Sequence, residues 1–359
     1  MAFLEFKNVR IAGISAGVPR FIASNLHPLN DDGVSSEYTP EAFVETTGVL
    51  ERRLSDTLTT SDLCYAAAEK LIAELGWERS EIEALVFVSQ TADYILPATA
   101  CILQDRLGLS KECYAEDVAL GCSGWVYGLS NVASLLISGS IKKALLLAGD
   151  AKKRAAGPRD PLFGHAGTAT AIEYLEGAKG FQFHFGTDGS GFDAIITPDG
   201  GSRNQVSPAS FDLKQVDGKP MHRMQTRMKG MDVFSFGIST PPKSVKKLAE
   251  HFGFDYQEAD YFVFHQANMK MNNMIAKKLK LDPEKVPSCM YHFGNTSSAS
   301  IPLTIVTQLK DKCNSAKKFV CCGFGVGLSW GTVTFETDNM VIPQLVEVTD
   351  EKADKKHVV

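Results

Sequence analysis

The amino-acid sequence predicts an α/β protein built from two similar halves. The chain has 359 residues, enough for two domains of ordinary size. Residues 69–92 and 246–268 match without a gap at an offset of 177, with Gly76 opposite Gly253. Each copy has the pattern of an amphipathic helix, a glycine that ends it, an acidic turn and a buried strand. Repetition of this unit is the main support for the fold class.

Two further pairs of segments support an internal duplication. KKALLLAGD (142–150) resembles KKFVCCGFG (317–325), and GTATAIEY (167–174) resembles GTVTFETD (331–338). A single match of this kind carries little weight, because helix-then-strand units are common in α/β proteins. Matches that keep the same order along the chain indicate duplication of a whole unit.

The duplication divides the chain into predicted halves at 1–176 and 177–359. We expect a mostly parallel sheet in each half, with the ligand-binding ends of the two sheets facing each other. The polar residues 199–227 show little periodicity and predict a lid or crossover outside the core. The charged residues 347–359 predict a loose C-terminal tail.

Composition and charge exclude several classes of protein. The net charge of −5 argues against a general nucleic-acid binder, whose surface would be basic. The chain has no run of about 18 apolar residues that would span a membrane, and its N-terminus does not resemble a secretory signal. The eight cysteines form no paired CxxC set. This usage indicates reduced thiols in a cytoplasmic protein, with neither a disulfide framework nor a metal site.

Cys122 lies in the motif GCSG at a predicted turn between a strand and a helix. YAEDVAL (114–120) precedes it as a short buried strand, and residues 125–139 follow with helical spacing. A helix N-terminus favours a thiolate, so we expect the pKa of Cys122 to fall below its free value of about 8.5. Such a thiolate attacks acyl groups well. The alternative is a small apolar residue where helix and strand pack closely.

The second half differs from the first where its strands end. His265 in FVFHQAN takes the place of Val88, and the alternative role is that of a buried structural histidine. The counterpart of the cysteine turn is HFGNTSSAS (292–300), in which Thr296 to Ser298 are candidates to cap a helix. Asn295 lies either at the start of that helix or in an ordinary Asx turn.

The glycine-rich segment CGFGVGLSWG (322–331) follows another strand of the second half. It predicts either a close-packed hairpin or a backbone free to direct N–H groups at an oxyanion. Together, these segments would place a thiol, an imidazole, a carboxamide and a glycine-rich turn at facing strand ends. That combination is typical of thioester chemistry.

Four motifs resemble those of β-ketoacyl-acyl-carrier-protein synthase III, within the thiolase-fold superfamily. They are AEDVALGCSGWVYGLS around Cys122, FVFHQAN around His265, HFGNTSSASIP around Asn295, and GFGVGLSWG at 323–331. The resemblance runs from about Val9 to Glu336. It implies a thiolase-like fold, in which two duplicated α/β halves form a five-layered αβαβα core.

The resemblance also implies roles for residues of the site. A thioester donor would acylate Cys122, and His265 and Asn295 would stabilise the enolate formed as malonyl-carrier protein loses carbon dioxide. That carbanion would attack the acyl group in a Claisen condensation. The N–H groups of Cys122 and Val326 would form the oxyanion hole, with Phe324 and Gly325 lining the pocket.

Partners follow from the same resemblance. The substrates would be thioesters on coenzyme A or on the phosphopantetheine of acyl-carrier protein, with no other cofactor. The family is usually a homodimer, in which Leu96 of the partner would close the acyl pocket, although Leu96 could equally be a core residue. The acidic carrier would dock on lysines that otherwise form only a solvated face, namely Lys229, Lys270, Lys277 and Lys278.

Three departures from the family pattern point to a specialised relative. Ala42 and Thr46 stand where a tryptophan and an arginine would clamp the adenine of coenzyme A, which makes a carrier-bound donor more plausible. The family's GDGA turn is replaced by GHAG around His165, for which the sequence gives no role. Val326 replaces a glycine, so its Cβ narrows the approach to the oxyanion hole.

Two other functions fit the same motifs. One is an acyltransferase of the same fold that transfers its acyl group without decarboxylation. The other is a non-catalytic acyl-binding partner subunit, against which the intact set of Cys122, His265 and Asn295 argues.

Overall fold

The computed structural model describes residues 2–29, 39–152 and 159–349. The strands are β1 Ala2–Phe6, β2 Val9–Pro19, β3 Ile22–Ser24, β4 Glu51–Arg53, β5 Ala84–Val88, β6 Tyr114–Val118, β7 Lys143–Asp150, β8 Ala166–Tyr174, β9 Phe181–Thr187, β10 Ile195–Ile196, β11 Lys214–Val216, β12 Lys219–Met221, β13 Arg227–Met228, β14 Tyr261–Phe264, β15 Lys317–Gly325, β16 Ser329–Thr337 and β17 Val346–Val348. The helices are α1 Pro40–Thr47, α2 Thr60–Leu75, α3 Thr99–Arg106, α4 Gly124–Leu136, α5 Gly230–Phe252, α6 Met269–Leu279, α7 Met290–Phe293 and α8 Ser300–Leu309.

Two large sheets repeat the same strand order. The first runs β17-β2-β8-β7-β5-β6, and the second runs β1-β9-β16-β15-β14. The strands β2, β8, β7 and β5 therefore occupy the places that β9, β16, β15 and β14 occupy in the second sheet. Gly76 and Gly253 end α2 and α5 in the left-handed conformation, with φ of 64° and 70°. The repeated topology agrees with the predicted duplication.

The helices and sheets form five layers. α4 and α8 lie between the sheets, because their apolar side chains share one core with the inner faces of both. α2 and α3 cover the outer face of the first sheet, and α5 and α6 cover that of the second. In β5, Val86 and Val88 belong to the inner core, whereas Leu85 and Phe87 belong to the outer one. The αβαβα architecture expected from the resemblance is thus present.

The terminal strands cross between the halves. β1 pairs antiparallel with β9 in the second sheet, and β17 pairs parallel with β2 in the first. The expectation of a loose tail is wrong where it begins, since Glu347 and Val348 belong to β17 and Glu347 accepts from Arg53 at 2.8 Å. Residues 350–359 of that predicted tail lie outside the described residues. The division of the remaining chain at 176 and 177 stays a prediction.

The second sheet is less parallel than expected. Only β14 and β15 run parallel there, whereas β15–β16, β16–β9 and β9–β1 are antiparallel. One of these pairs has a local cause: residues 326–328 join β15 directly to β16 as a tight hairpin, and a connection this short permits only antiparallel pairing.

The polar excursion at 199–227 is more ordered than its sequence indicates. β10 and β13 pair at its base, and β11 and β12 form a hairpin within it. Asp199 anchors the segment, accepting hydrogen bonds from the Ser210 hydroxyl at 2.8 Å and the Arg223 guanidinium at 2.9 Å. In the described ranges, no helix is long and apolar enough to cross a membrane.

His165 is the last residue of the connection between β7 and β8, residues 151–165, and it makes hydrogen bonds to three backbone groups. Its backbone N–H donates to the Arg53 carbonyl at 2.8 Å, and its Nδ1 accepts from the Ser55 N–H at 3.3 Å. The ring also makes a hydrogen bond to the Lys152 backbone. Burial, reinforced by Arg159, lowers the pKa of His165 to about 4. The imidazole is therefore neutral at physiological pH and serves as a structural tie.

This burial predicts a pH dependence of stability. The folded-state pKa of His165 is below the unfolded value of about 6.5, so the unfolded chain binds more protons between these values. The contribution to stability is complete above about pH 6.5 and is lost as the pH falls toward 4. Urea unfolding from pH 7 to 4 should show a shallower loss for His165→Gln than for the parent chain. Equal slopes for the two proteins would contradict this assignment.

Candidate active site

Cys122 lies in the turn between β6 and α4, as the sequence predicts. α4 begins at Gly124 with Ser123 as its N-cap residue, which places the thiol just before the helix. The preceding strand differs from the expectation of a buried one. β6 is the edge strand of its sheet, and the Tyr114 side chain is 43% exposed.

The second half contacts Cys122 through the backbone of β15. A Cβ on Gly325 would lie 2.6 Å from the Cys122 Cβ and 2.8 Å from its Sγ. A Cβ on Gly323 would lie 2.9 Å from the Ser123 Cα. A side chain at either position would push strand and turn apart, so glycine is needed for this close approach. The glycine-rich segment is thus both a close-packed hairpin and a wall of the cysteine pocket.

The expected fall in the pKa of Cys122 is wrong. Burial raises the pKa of the thiol above its ordinary value, and the Asp150 carboxylate acts in the same direction. Lys152, a hydrogen bond from the Val326 N–H and one from the Ser297 hydroxyl oppose this rise without cancelling it. At rest, Cys122 is therefore a protonated thiol with a backbone donor directed at its sulfur.

His265 follows the last residue of β14, at the end of that strand that faces the cysteine turn. It is 2% exposed, and its Nδ1 lies 2.8 Å from the Ser300 hydroxyl oxygen at the start of α8. Burial lowers the pKa of His265 to about 3, against a backbone hydrogen bond to Ser297 that raises it. The Phe324 ring packs edge-on against the imidazole, with centroids 5.5 Å apart. The imidazole is therefore neutral and held in one orientation.

Asn295 is fixed through both its backbone and its amide. Its backbone N–H donates to the Leu162 carbonyl at 2.9 Å, and its carbonyl accepts from the Gly164 N–H at 3.0 Å. Its Oδ1 accepts from the Ser297 N–H at 2.9 Å, which is the Asx-turn geometry that the sequence left open. Because Oδ1 already accepts this hydrogen bond, the side-chain NH₂ of Asn295 is the group left to donate to a substrate oxygen. The NH₂ group donates only a long hydrogen bond within the protein, to the Ala267 carbonyl at 3.5 Å.

Ser297 contacts the three predicted residues, a role that the sequence did not indicate, since it was named there only as a helix-cap candidate. Its hydroxyl makes a hydrogen bond to the Cys122 sulfur, and its N–H donates to the Asn295 Oδ1. Its backbone also makes a hydrogen bond to the His265 ring. It has a φ of 54°, a left-handed conformation uncommon for serine. The helix-cap prediction for Thr296 to Ser298 is right only for the short 3-10 turn Ser297–Ala299, of which Thr296 is the N-cap residue without a side-chain hydrogen bond. The helix α8 itself begins at Ser300 with Ala299 as its N-cap residue.

The other predicted site residues occupy varied surroundings. Val326 and Phe324 lie beside Cys122 and His265, respectively. Leu96 is not a core residue, since it is 83% exposed next to Ile95, which is 95% exposed. Within the described ranges, no group of three or more histidine, cysteine or acidic side chains is placed to hold a metal ion.

The four lysines proposed for carrier docking differ in their contacts. Lys229 pairs with Asp193 at 2.6 Å, and Lys278 donates to the Ile238 carbonyl at 2.9 Å. Lys270 lies 5.9 Å from the centre of the Phe234 ring, whereas Lys277 is exposed on the same helix, α6. The opposite face of α6 is buried, as its spacing predicts.

Comparisons with known proteins agree with this geometry. Family models for 3-oxoacyl-[acyl-carrier-protein] synthase III and for its C-terminal part match residues 116–189 and 249–337. A β-ketoacyl-[acyl-carrier-protein] synthase III from Syntrophomonas wolfei is 32% identical over 90% of this chain and 96% of the relative. A putative 3-oxoacyl-[acyl-carrier-protein] synthase 3 from Campylobacter jejuni is 30% identical over 97% of this chain and 99% of the relative.

Solved structures give the same result. The crystal structure of a 3-oxoacyl-(acyl-carrier protein) synthase from Burkholderia xenovorans superposes with a TM-score of 0.88 at 38% identity, covering 97% of this chain and 99% of that one. The fold, with its two large sheets and five layers, is thus that of a known 3-oxoacyl-(acyl-carrier protein) synthase. The chain belongs to the β-ketoacyl-acyl-carrier-protein synthase III family of acyltransferases.

Proposed function

We propose that Cys122 carries an acyl group, and that His265 and Asn295 promote decarboxylation of a malonyl thioester that then attacks this group. The observation that carries the proposal is the set of contacts at Ser297, which brings a thiol, an imidazole and a carboxamide into one buried site. These are the groups needed for acyl transfer and for stabilising an enolate.

In the first step, the Cys122 sulfur attacks the carbonyl carbon of the donor thioester. Because burial keeps the thiol protonated, its proton must leave as the new carbon–sulfur bond forms. The bond between that carbon and the donor's sulfur then breaks, and the donor sulfur takes the proton and leaves as a free thiol. The N–H of Val326, which already points at the sulfur, would stabilise the oxyanion together with the N–H of Cys122.

In the second step, the bond between the α-carbon and the carboxylate of the malonyl group breaks. Carbon dioxide leaves, and the electron pair forms an enolate on the thioester oxygen. The Asn295 NH₂ and the His265 imidazole would stabilise that oxygen. The α-carbon then attacks the acyl carbonyl, and the Cys122 sulfur departs as the β-ketoacyl thioester forms.

The proposed acyl donor is a thioester carried on acyl-carrier protein, in preference to a coenzyme A thioester. Ala42 and Thr46 lie on α1, and neither offers an aromatic face or a cation to hold an adenine. A phosphopantetheine arm needs no such clamp, since the carrier protein supplies the remaining binding surface.

Two copies of the chain are proposed to assemble around Leu96. Ile95 and Leu96 are large apolar side chains with almost their whole surface open to solvent. Burial of such a pair stabilises association. A partner's Leu96 would then close the acyl pocket, as the family resemblance implies.

Carbon dioxide release tests the proposed reaction directly. With an acyl donor and malonyl-carrier protein, the protein should release one carbon dioxide for each β-ketoacyl product, measured by radiolabel and mass spectrometry. Cys122→Ser should lose the acyl adduct seen by intact mass. His265→Ala should keep self-acylation and lose at least about 100-fold in condensation, the range expected for removing one proton-transfer or oxyanion group.

The two variants separate the rival functions. Acyl transfer without carbon dioxide would indicate a non-decarboxylating acyltransferase. An adduct that persists in Cys122→Ser would contradict the role of this thiol. Loss of self-acylation as well in His265→Ala would show that the imidazole is essential for activating the thiol.

Lys277 is the proposed docking residue with the most accessible charge, because Lys229 is already paired with Asp193. Lys277→Glu should raise the KM for malonyl-carrier protein by about tenfold, as expected for reversing one charge at an interface. The KM for malonyl-pantetheine, which has no protein surface, should not change. Lys111→Glu, an exposed position between α3 and β6, is the matched control. Equal effects on both substrates would contradict docking at Lys277.

A further inference from the structure

Lys152 lies where the first half departs most from the second. Residues 151–165 join β7 to β8, whereas only residues 326–328 join the corresponding strands β15 and β16. Both connections leave the same end of their sheets, and Val326 of the shorter one contacts the Cys122 sulfur. The longer connection thus begins beside the active site and places a lysine there.

The Lys152 ammonium has no carboxylate partner among the described residues. Its Nζ lies over the Phe163 ring, 5.1 Å from the ring centre. The side chain is exposed, so a ligand entering the site can reach it. An unpaired cation over an aromatic face is available to bind an anion.

A small cavity connects Lys152 with the proposed catalytic residues. Its lining is formed by Asp150, Lys152, Phe163, Gly164, His165, Asn295 and Ser297. Asn295 and Ser297 belong to the site that would hold the second substrate. Lys152 also favours the ionised form of Cys122 electrostatically, which is consistent with a short separation.

The other polar groups of this cavity are committed to the protein or disfavour an anion. The Asp150 Oδ1 accepts hydrogen bonds from the Ser89 hydroxyl, the Gln90 N–H and the Thr91 hydroxyl, at 2.9 to 3.0 Å. Its buried Oδ2 has no partner and would repel a carboxylate. His165 is neutral, and its ring holds the Lys152 backbone. Lys152 is therefore the cationic side chain among the residues that line the cavity. The hydrogen bond to the His165 ring fixes the position of the Lys152 backbone.

We propose that Lys152 binds the free carboxylate of the malonyl-type extender before that carboxylate leaves as carbon dioxide. This assignment rests on the proposed decarboxylative condensation. It makes Lys152 a specificity residue, which selects a thioester bearing a carboxylate over a neutral one. It also gives a role to His165, which positions the residue that makes this contact.

The chemistry sets the expected kinetic signature. The negative charge is on the carboxylate in the ground state and moves to the thioester oxygen as the carbon–carbon bond breaks. Lys152 therefore stabilises bound substrate at least as much as the transition state, and its removal should weaken binding without lowering the maximal rate.

Single-turnover kinetics on preformed acetyl-Cys122 enzyme test the proposal. In this form the sulfur is already a thioester, so any effect of Lys152 on the thiol cannot contribute. Lys152→Met should raise the half-saturating concentration of malonyl-pantetheine about tenfold, the loss expected for one charge-assisted contact, with no fall in maximal rate. Lys152→Arg should restore most of the affinity. Inhibition by the methyl ester of malonyl-pantetheine, which lacks the charge, should change less than about twofold.

Lys142→Met is the matched control, since Lys142 lies 4.0 Å from the Tyr174 ring centre at the other end of β7. Equal weakening of the charged substrate and the neutral ester would show that Lys152 only maintains the shape of the site, and would overturn the proposal. An unchanged half-saturating concentration would overturn it as well. Failure of the parent protein to release carbon dioxide would instead refute the proposed function on which the assignment rests.

Discussion

The proposed active site depends on the close approach of the β15 backbone to the Cys122 turn. Gly323 and Gly325 leave no room for a side chain between the strand of one half and the turn of the other. This contact directs the Val326 N–H at the sulfur. The same burial surrounds His265, the residue that follows the neighbouring strand β14. The site is therefore a product of the seam between two halves, and neither half contains it alone.

Burial at this seam also sets the charge state of the proposed catalytic pair. It raises the pKa of the Cys122 thiol and lowers that of the His265 imidazole, so both groups are neutral at rest. A neutral thiol differs from the thiolate that a helix N-terminus alone would favour. The resting thiol would react only when a thioester enters and the departing donor sulfur can take its proton.

The sequence could predict the duplication, the ends of α2 and α5, and the positions of Cys122, His265 and Asn295, because each depends on local pattern or on comparison of the two copies. It could not predict the sign of the Cys122 pKa shift, which depends on a strand about 200 residues away in the chain. Nor could it single out Ser297, whose role comes from a left-handed backbone conformation and three separate contacts. The antiparallel pairing of β15 with β16 followed from one short hairpin, and the role of His165 from its hydrogen bonds to nearby backbone groups.

The pH dependence of alkylation at Cys122 tests the neutral resting pair most directly. Iodoacetamide labelling, followed by mass spectrometry of the peptide that contains Cys122, reports the ionisation of this thiol separately from the other seven cysteines. Burial predicts a labelling rate that is still rising above the ordinary thiol pKa of about 8.5, with no plateau near neutrality. A plateau reached below about pH 7 would show a thiolate at rest, and would contradict the conclusion that burial governs this site.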